Sequence, residues 1–279
     1  VVLVAGALVA AGAVYYWPAS DPSLRRVQQM KELRVGYAVE APFAFVDPQA
    51  QVTGVFPEAA QVIGKQLGVT HIVWVQTAFA SLIPDLLEGR YDVIASGYMK
   101  TPERASLVEF SDPLLRINPG VLVAKGNPHR LAPYAGLAPL PGIRIAVING
   151  STAQRMLIAR GFTPEALLVV PDTLTGSSAV LTGVAQGFVS SLPAVIRLQA
   201  RNPDAEDILQ SAVPTSQAEG GGLVGFAFRP ADAALLKAWN AAQAKFMAGP
   251  AHRALAARYG FGEADLLAPA PVGAAGGGR

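Results

Sequence analysis

The 279 residues contain no cysteine. Within them, that excludes disulfides, zinc–thiolate centres, a cysteine nucleophile and a lipid-modified cysteine. Charge is scarce too, with Asp, Glu, Lys and Arg at 15% and a formal net charge of +2. No basic run is dense enough to hold nucleic acid, so no nucleic-acid partner is expected. Only three histidines occur, His71, His129 and His252. They fall at a strand start, beside a proline and in a late helix, with nothing to make them converge. No metal-ligand spacing and no nucleophile–base pair stands out, so neither a metal, a cofactor nor a catalytic residue is expected. What is abundant is apolar side chain, at 51%. With this length it supports one large domain or two lobes with separate cores.

Val1 to Trp17 carries no charge, and Val1 to Val14 is built only from Val, Leu, Ala and Gly. Such a stretch matches the apolar region of an export signal and is short for a spanning helix of about 20 residues. Two readings stay open, a signal peptide or an uncleaved N-terminal membrane anchor. Pro269 to Arg279 is rich in Pro, Gly and Ala and is expected to be a frayed tail.

Between these ends, strand-like runs alternate with helical ones. An amphipathic piece, Ser23 to Lys31, precedes a strand at Leu33–Tyr37. Phe45 to Gly54 reads as a hairpin, Pro57 starts a helix with Ala59, Val62, Ile63 and Leu67 on one face, and Gly68 ends it. Strands follow at His71–Val75 and Tyr91–Ala95, separated by a helix from Ser81. A second series holds strands at 143–148, 167–170 and 188–191, with helices from Ser151 and around 177–187 and 192–201. Gly220 to Phe228 is a late strand, and helices at about 231–247 and 251–259 close the pattern. This order implies α/β architecture with mostly parallel sheets.

Chemistry concentrates just past the strand at Tyr91–Ala95. There a polar loop carries Ser96, Gly97, Thr101 and Arg104. Ligands of open α/β sheets bind beyond strand carboxyl ends, and an arginine beside hydroxyl and N–H donors suits a carboxylate.

Glu40-Ala-Pro-Phe43, Val52-Thr-Gly54, Phe79-Ala-Ser-Leu-Ile-Pro84, Thr101-Pro-Glu-Arg104, Gly126-Asn-Pro128 and Tyr259-Gly-Phe-Gly-Glu-Ala-Asp-Leu266 together carry a resemblance. The chain resembles the extracytoplasmic solute-binding proteins of ABC importers, in the family that takes amino acids and related zwitterions. Within it, the likeness is nearest to the ectoine- and hydroxyectoine-binding branch. The resemblance implies a two-lobe periplasmic-binding-protein type II fold with a hinge and an interlobe ligand cleft. Lobe 1 would comprise residues 31–124 and 223–267 and lobe 2 residues 125–222, with crossings near Val123–Gly126 and Gly222–Phe226. Residues 1–30 would be signal or anchor plus lead-in, and 268–279 a tail. It further implies an extracytoplasmic monomer that captures a small zwitterion and hands it to membrane permease subunits. Arg104 would hold the ligand carboxylate and Glu40 its cationic group. Phe43 and Phe79 would wall the cation, while Ser151, Thr152 and Ser190 would contribute from lobe 2. Two departures stand against the family pattern. Met99 lies where the ectoine branch carries an aromatic residue, and the Gly187–Ser191 strand lacks the aspartate with which α-amino-acid binders hold an ammonium. Two rival functions stay open, a prephenate-type dehydratase with Glu40 as general acid and a membrane-anchored solute sensor.

Overall fold

A computed structural model describes residues 21–209 and 222–268. The apolar N-terminal stretch, the Pro/Gly/Ala-rich end and the start of the late strand lie outside these. The described residues form two mixed sheets and, at the expected hairpin, a two-stranded antiparallel pair of β2 (Phe45–Val46) and β3 (Val52–Thr53). The first has the order β4 (His71–Gln76), β1 (Glu32–Tyr37), β5 (Val93–Met99), β13 (Gly222–Phe228), β6 (Glu109–Phe110), with β7 (Leu115–Ile117) also on β13. The second has the order β10 (Leu167–Val170), β9 (Ile145–Ile148), β11 (Gly187–Ser191), β8 (Pro119–Ala124), β12 (Glu206–Leu209). Both repeat one plan: three parallel strands flanked by antiparallel partners. Each sheet is packed between helices, so the strands read as near-continuous apolar runs. The separate cores centre on Phe56, Phe226 and Trp239 in one lobe and on Val121, Val147 and Val189 in the other.

The two-lobe α/β arrangement is therefore the one the resemblance implied. The first crossing sits earlier than expected. Strand β7 belongs to the first sheet and β8 to the second, so the chain changes lobe at Asn118, not at Val123–Gly126. A short strand run cannot reveal its partner, because sheet membership is decided by residues far away in sequence. The helix Ser23–Met30 is also no mere lead-in, since Val27 is fully buried in the first core.

Several boundaries moved. The helix expected from Pro57 starts at Val55, behind Gly54 at φ +118°, with Pro57 inside its first turn. Val62 faces outward, and Ala60 takes its place in the core. The helix placed at 177–187 runs Thr173–Leu181, capped by Asp172, whose side chain accepts from the Thr175 N–H. Most consequential for the site, β5 continues to Met99, so Ser96 and Gly97 lie in the strand and not in a loop beyond it.

One buried ion cluster fastens the first lobe. The Asp92 carboxylate, fully buried ahead of β5, meets Arg26 of the Ser23–Met30 helix and Arg34 of β1, each at 2.6 Å, and Arg229 after β13 at 3.3 Å. It thus ties the first stretch of this discontinuous lobe to the second, which returns with β13. Burial pushes the Asp92 carboxyl up, and hydrogen bonds from Arg34 and Arg26 outweigh that, leaving it at about 2.

Candidate functional site

The carboxyl ends of the two sheets face one another across a cleft. From the first sheet, β1 delivers Glu40, β4 delivers Phe79 and β5 delivers Met99 and Arg104. From the second, β9 leads into Ser151 and Thr152, and β11 ends in Ser190 and Ser191. Parallel neighbours bring their carboxyl ends together, so residues 40, 79 and 104 meet despite wide separation in sequence. The cleft measures about 70 Å³. At roughly 10–15 Å³ per water position this holds about six waters, room for a small solute and not for a polymer.

Arg104 is 3% exposed and has no carboxylate at ion-pair distance among the described residues. Its guanidinium donates to the Met99 carbonyl at 2.9 Å and, across the cleft, to the Gly150 carbonyl at 3.1 Å. It lies over the Tyr98 ring at 3.8 Å and nearer the edge of contact with Phe79 at 5.5 Å. Burial holds its proton affinity down, to about 10, against the opposing influence of Tyr98. It remains a cation at neutral pH, fixed in orientation and short of an anion.

Glu40 is 9% exposed. Its Oε1 accepts from Ser190 Oγ at 3.1 Å and Ser191 Oγ at 3.4 Å, both from the opposite lobe. Burial raises its carboxyl to about 7, while the two serines and the Arg104 charge pull the other way. Two hydroxyls do not neutralise a carboxylate, so this group is short of a cation.

Phe43 is buried against Phe56 and Phe261 and forms the floor. Gly97 allows this: its φ is +61°, and a Cβ there would stand 2.5 Å from the Phe43 ring. Phe79 packs against Tyr98 with centroids 5.3 Å apart and forms a side wall. Across the cleft, Ser151 caps the Thr152–Ala159 helix by accepting from the Gln154 N–H.

Glu40, Phe43, Phe79, Gly97, Met99, Arg104, Ser151, Thr152 and Ser190 thus come together along the cleft. Ser96 and Thr101 do not. Ser96 Oγ is engaged with the backbone N–H and carbonyl of Ala38, joining β1 to β5. Thr101 caps the Pro102–Ala105 turn, accepting from the Arg104 N–H and donating to Glu103. Both hydroxyls are spent on local hydrogen bonds of the first lobe. Three features of the site carry no assignment from the sequence: Ser191 and Tyr134, which line the cleft from the second lobe, and Tyr98, whose ring lies under Arg104. The hydroxyl-rich end of β11 was a visible signal for Ser191. Tyr134 gave none.

Residues 33–263 match the bacterial extracellular solute-binding proteins, family 3. The chain belongs to this family. It is 31% identical over 186 residues to a probable amino-acid ABC transporter periplasmic-binding protein, y4tE, of Sinorhizobium fredii, covering 66% of this chain and 61% of that one. The alignment therefore spans less than two thirds of that relative. With ABC transporter arginine-binding protein 1 of Escherichia coli it shares 30% over 219 residues, 77% of this chain and 86% of the other. Among solved structures, EhuB in complex with hydroxyectoine superposes with a TM-score of 0.80 at 27% identity, covering 87% of this family member and 93% of EhuB. Most curated relatives are named as binding proteins, and membrane-bound lytic murein transglycosylase F also matches, from Aeromonas hydrophila and from Aeromonas salmonicida.

Proposed function

We propose that this family member is a receptor for a small zwitterion, which it encloses between its lobes and passes to the membrane subunits of an ABC importer. The observation that carries this reading is a pair of opposite, buried and unmatched charges in one small cleft. Arg104 takes the ligand carboxylate, and Glu40 takes its cationic group beside Phe79. Burying either ligand charge without a partner would be prohibitive, so the cleft selects molecules that bear both. The transport role rests on relatives named as ABC transporter binding proteins. An ectoine-type ligand fits because its cationic group is delocalised and suits a carboxylate and one aromatic wall, and EhuB with hydroxyectoine supports it. Met99 supplies bulk without a π face, so contact with the cation is thinner there.

A polar α-amino acid is a second reading, favoured by the arginine-binding relative. Glu40 would then hold the α-ammonium that an aspartate on β11 would otherwise take. A guanidinium tail has no second carboxylate among the cleft-lining residues. One observation favours a dehydratase instead, since a carboxyl at about 7 suits general-acid work.

Calorimetric titration of the full chain with ectoine, hydroxyectoine, arginine and glutamine separates these. Micromolar or tighter binding of one class, about −8 kcal/mol or better, with no product on long incubation is the expected outcome. Absence of binding to every zwitterion, or consumption of prephenate, would sink the reading.

A further inference from the structure

Two contacts that join the lobes lie outside the ligand cleft. In one, Glu103 of the Pro102–Ala105 turn in the first lobe faces Arg155 of the Thr152–Ala159 helix in the second, at 3.5 Å. In the other, the Arg197 guanidinium of the Leu192–Gln199 helix in the second lobe lies over the Phe45 ring of the first-lobe hairpin, 4.9 Å from its centroid. None of these four residues lines the cleft. Each pair nonetheless stands next to a charge that does. Glu103 adjoins Arg104, and Arg197 shares a groove with Ala41, the neighbour of Glu40.

Both contacts depend on the lobes being together. Arg197 has no carboxylate at ion-pair distance among the described residues, and its buried Nε has no hydrogen-bond partner there. A surface arginine ordinarily keeps its head in water. This one gives up solvent for an aromatic ring of the other lobe, an exchange that reverses whenever the lobes part. Glu103 and Arg155 are 69% and 38% exposed, so water and salt weaken their attraction. Contacts of this strength bias an equilibrium without locking it.

We infer that the two pairs are interlobe clasps that set how tightly the cleft holds its ligand without touching that ligand. They raise the share of closed molecules before ligand arrives, and apparent affinity scales with that share. The effect on affinity rests on the receptor reading above, whereas the effect on closure does not.

The test uses Glu103→Gln and Arg197→Met, singly and together. Each variant keeps side-chain length and removes one clasp, and the glutamine can still accept the hydrogen bond that Thr101 gives Glu103. Because the chain has no cysteine, Leu87→Cys and Ile158→Cys, exposed positions in opposite lobes, place two spin labels without competition. In the ligand-free protein the label separations should include a short, closed class, and the double clasp variant should cut its share about twofold or more. High salt should mimic Glu103→Gln and add little to it, since the exposed pair is the one that salt screens. Identical distributions with and without the clasps overturn the inference. Calorimetry and stopped-flow kinetics with ectoine, hydroxyectoine, arginine and glutamine form the second arm. Affinity for every compound that binds should fall by one common factor, about twofold for Glu103→Gln, about fivefold for Arg197→Met and about tenfold together, carried by faster dissociation. The sign for Glu103→Gln discriminates most sharply. Removing an acid beside Arg104 would by charge alone tighten a carboxylate ligand, so weaker binding has to come from the lost clasp. Tighter binding in that variant, or losses that differ between ligands, overturn the inference. Failure of wild type to bind any of the four compounds refutes the receptor reading, and the label distances still decide the clasps.

Discussion

Asp92 and Glu40 are buried carboxylates in one lobe, at opposite ends of neighbouring parallel strands. Asp92 lies ahead of β5, where three arginines from three chain segments converge on it. Glu40 lies beyond β1, where among the described residues two serines of the opposite lobe donate to its side chain. The same desolvation acts on both. In one case it is overcome and the carboxyl falls to about 2, and in the other it prevails and the carboxyl rises to about 7. A saturated charge serves the fold, while an unsaturated one keeps its strongest interaction for something that arrives later. Stability and binding are thereby placed at the two edges of one sheet, and each can be perturbed without the other.

The largest expected effect is on the saturated side. Asp92→Asn strips the counter-charge from Arg26, Arg34 and Arg229 and should cost about 3–5 kcal/mol. At this chain length that is a fall of roughly 10 °C in melting temperature, while whatever folds still binds ligand. The Asp92 pKa is depressed, so its stabilisation is present above about pH 4 and is lost as pH falls toward 2. An acid-melting profile that Asp92→Asn leaves unchanged would break the comparison from this side.

On the unsaturated side, Arg104→Ala should weaken binding at least 100-fold with little change in melting temperature, because it removes a buried cation that lacks an anion. Loss of stability comparable to that of Asp92→Asn would mean that Arg104 is a structural clamp. Glu40→Gln should act in opposite directions on stability and affinity. With a folded pKa near 7 against an ordinary 4.5, the carboxylate weakens the ligand-free fold increasingly as pH rises from about 4.5 through 7. Removing it should add up to about 3 kcal/mol at pH 8 and nothing at pH 4, by the same 1.4 kcal/mol per pH unit that governs all such shifts. Chemical denaturation at the two pH values checks this. The smallest effect belongs to Ser190→Ala. One lost hydroxyl should raise the Glu40 pKa further and weaken binding at pH 7 a few-fold, an effect that fades by pH 8.5.

How much of this was legible in the sequence follows the same division. Glu40, Phe79 and Arg104 could be found because each follows a readable parallel strand, and parallel strands gather their carboxyl ends. Arg104 was marked further by Thr101-Pro-Glu, a helix start. The same local cue misled over Thr101 itself, whose hydroxyl caps that helix, and over Ser96, whose strand runs four residues past its expected end. Asp92 looked like one acid among many, because its three arginines come from residues 26, 34 and 229. Tyr134 lies in a Pro- and Gly-rich stretch without periodicity, and it shares a core with Val121, Val147 and Val189, which come from strands distant in sequence. Local pattern reports where chains turn. Which side chains are left without partners is a property of the whole fold.

The central claim, that Glu40 waits for a cation, is tested most directly by counting protons. Ligand binding is measured at pH 7 by calorimetry in buffers of different ionisation enthalpy, with the zwitterion that binds most tightly. A carboxyl poised near 7 is about half protonated in the free protein and ionised against the ligand's cation, so about half a proton should leave per ligand bound. That release should vanish in Glu40→Gln and fade by pH 8.5. Binding that exchanges no proton at pH 7, or exchanges the same number without Glu40, would contradict the account.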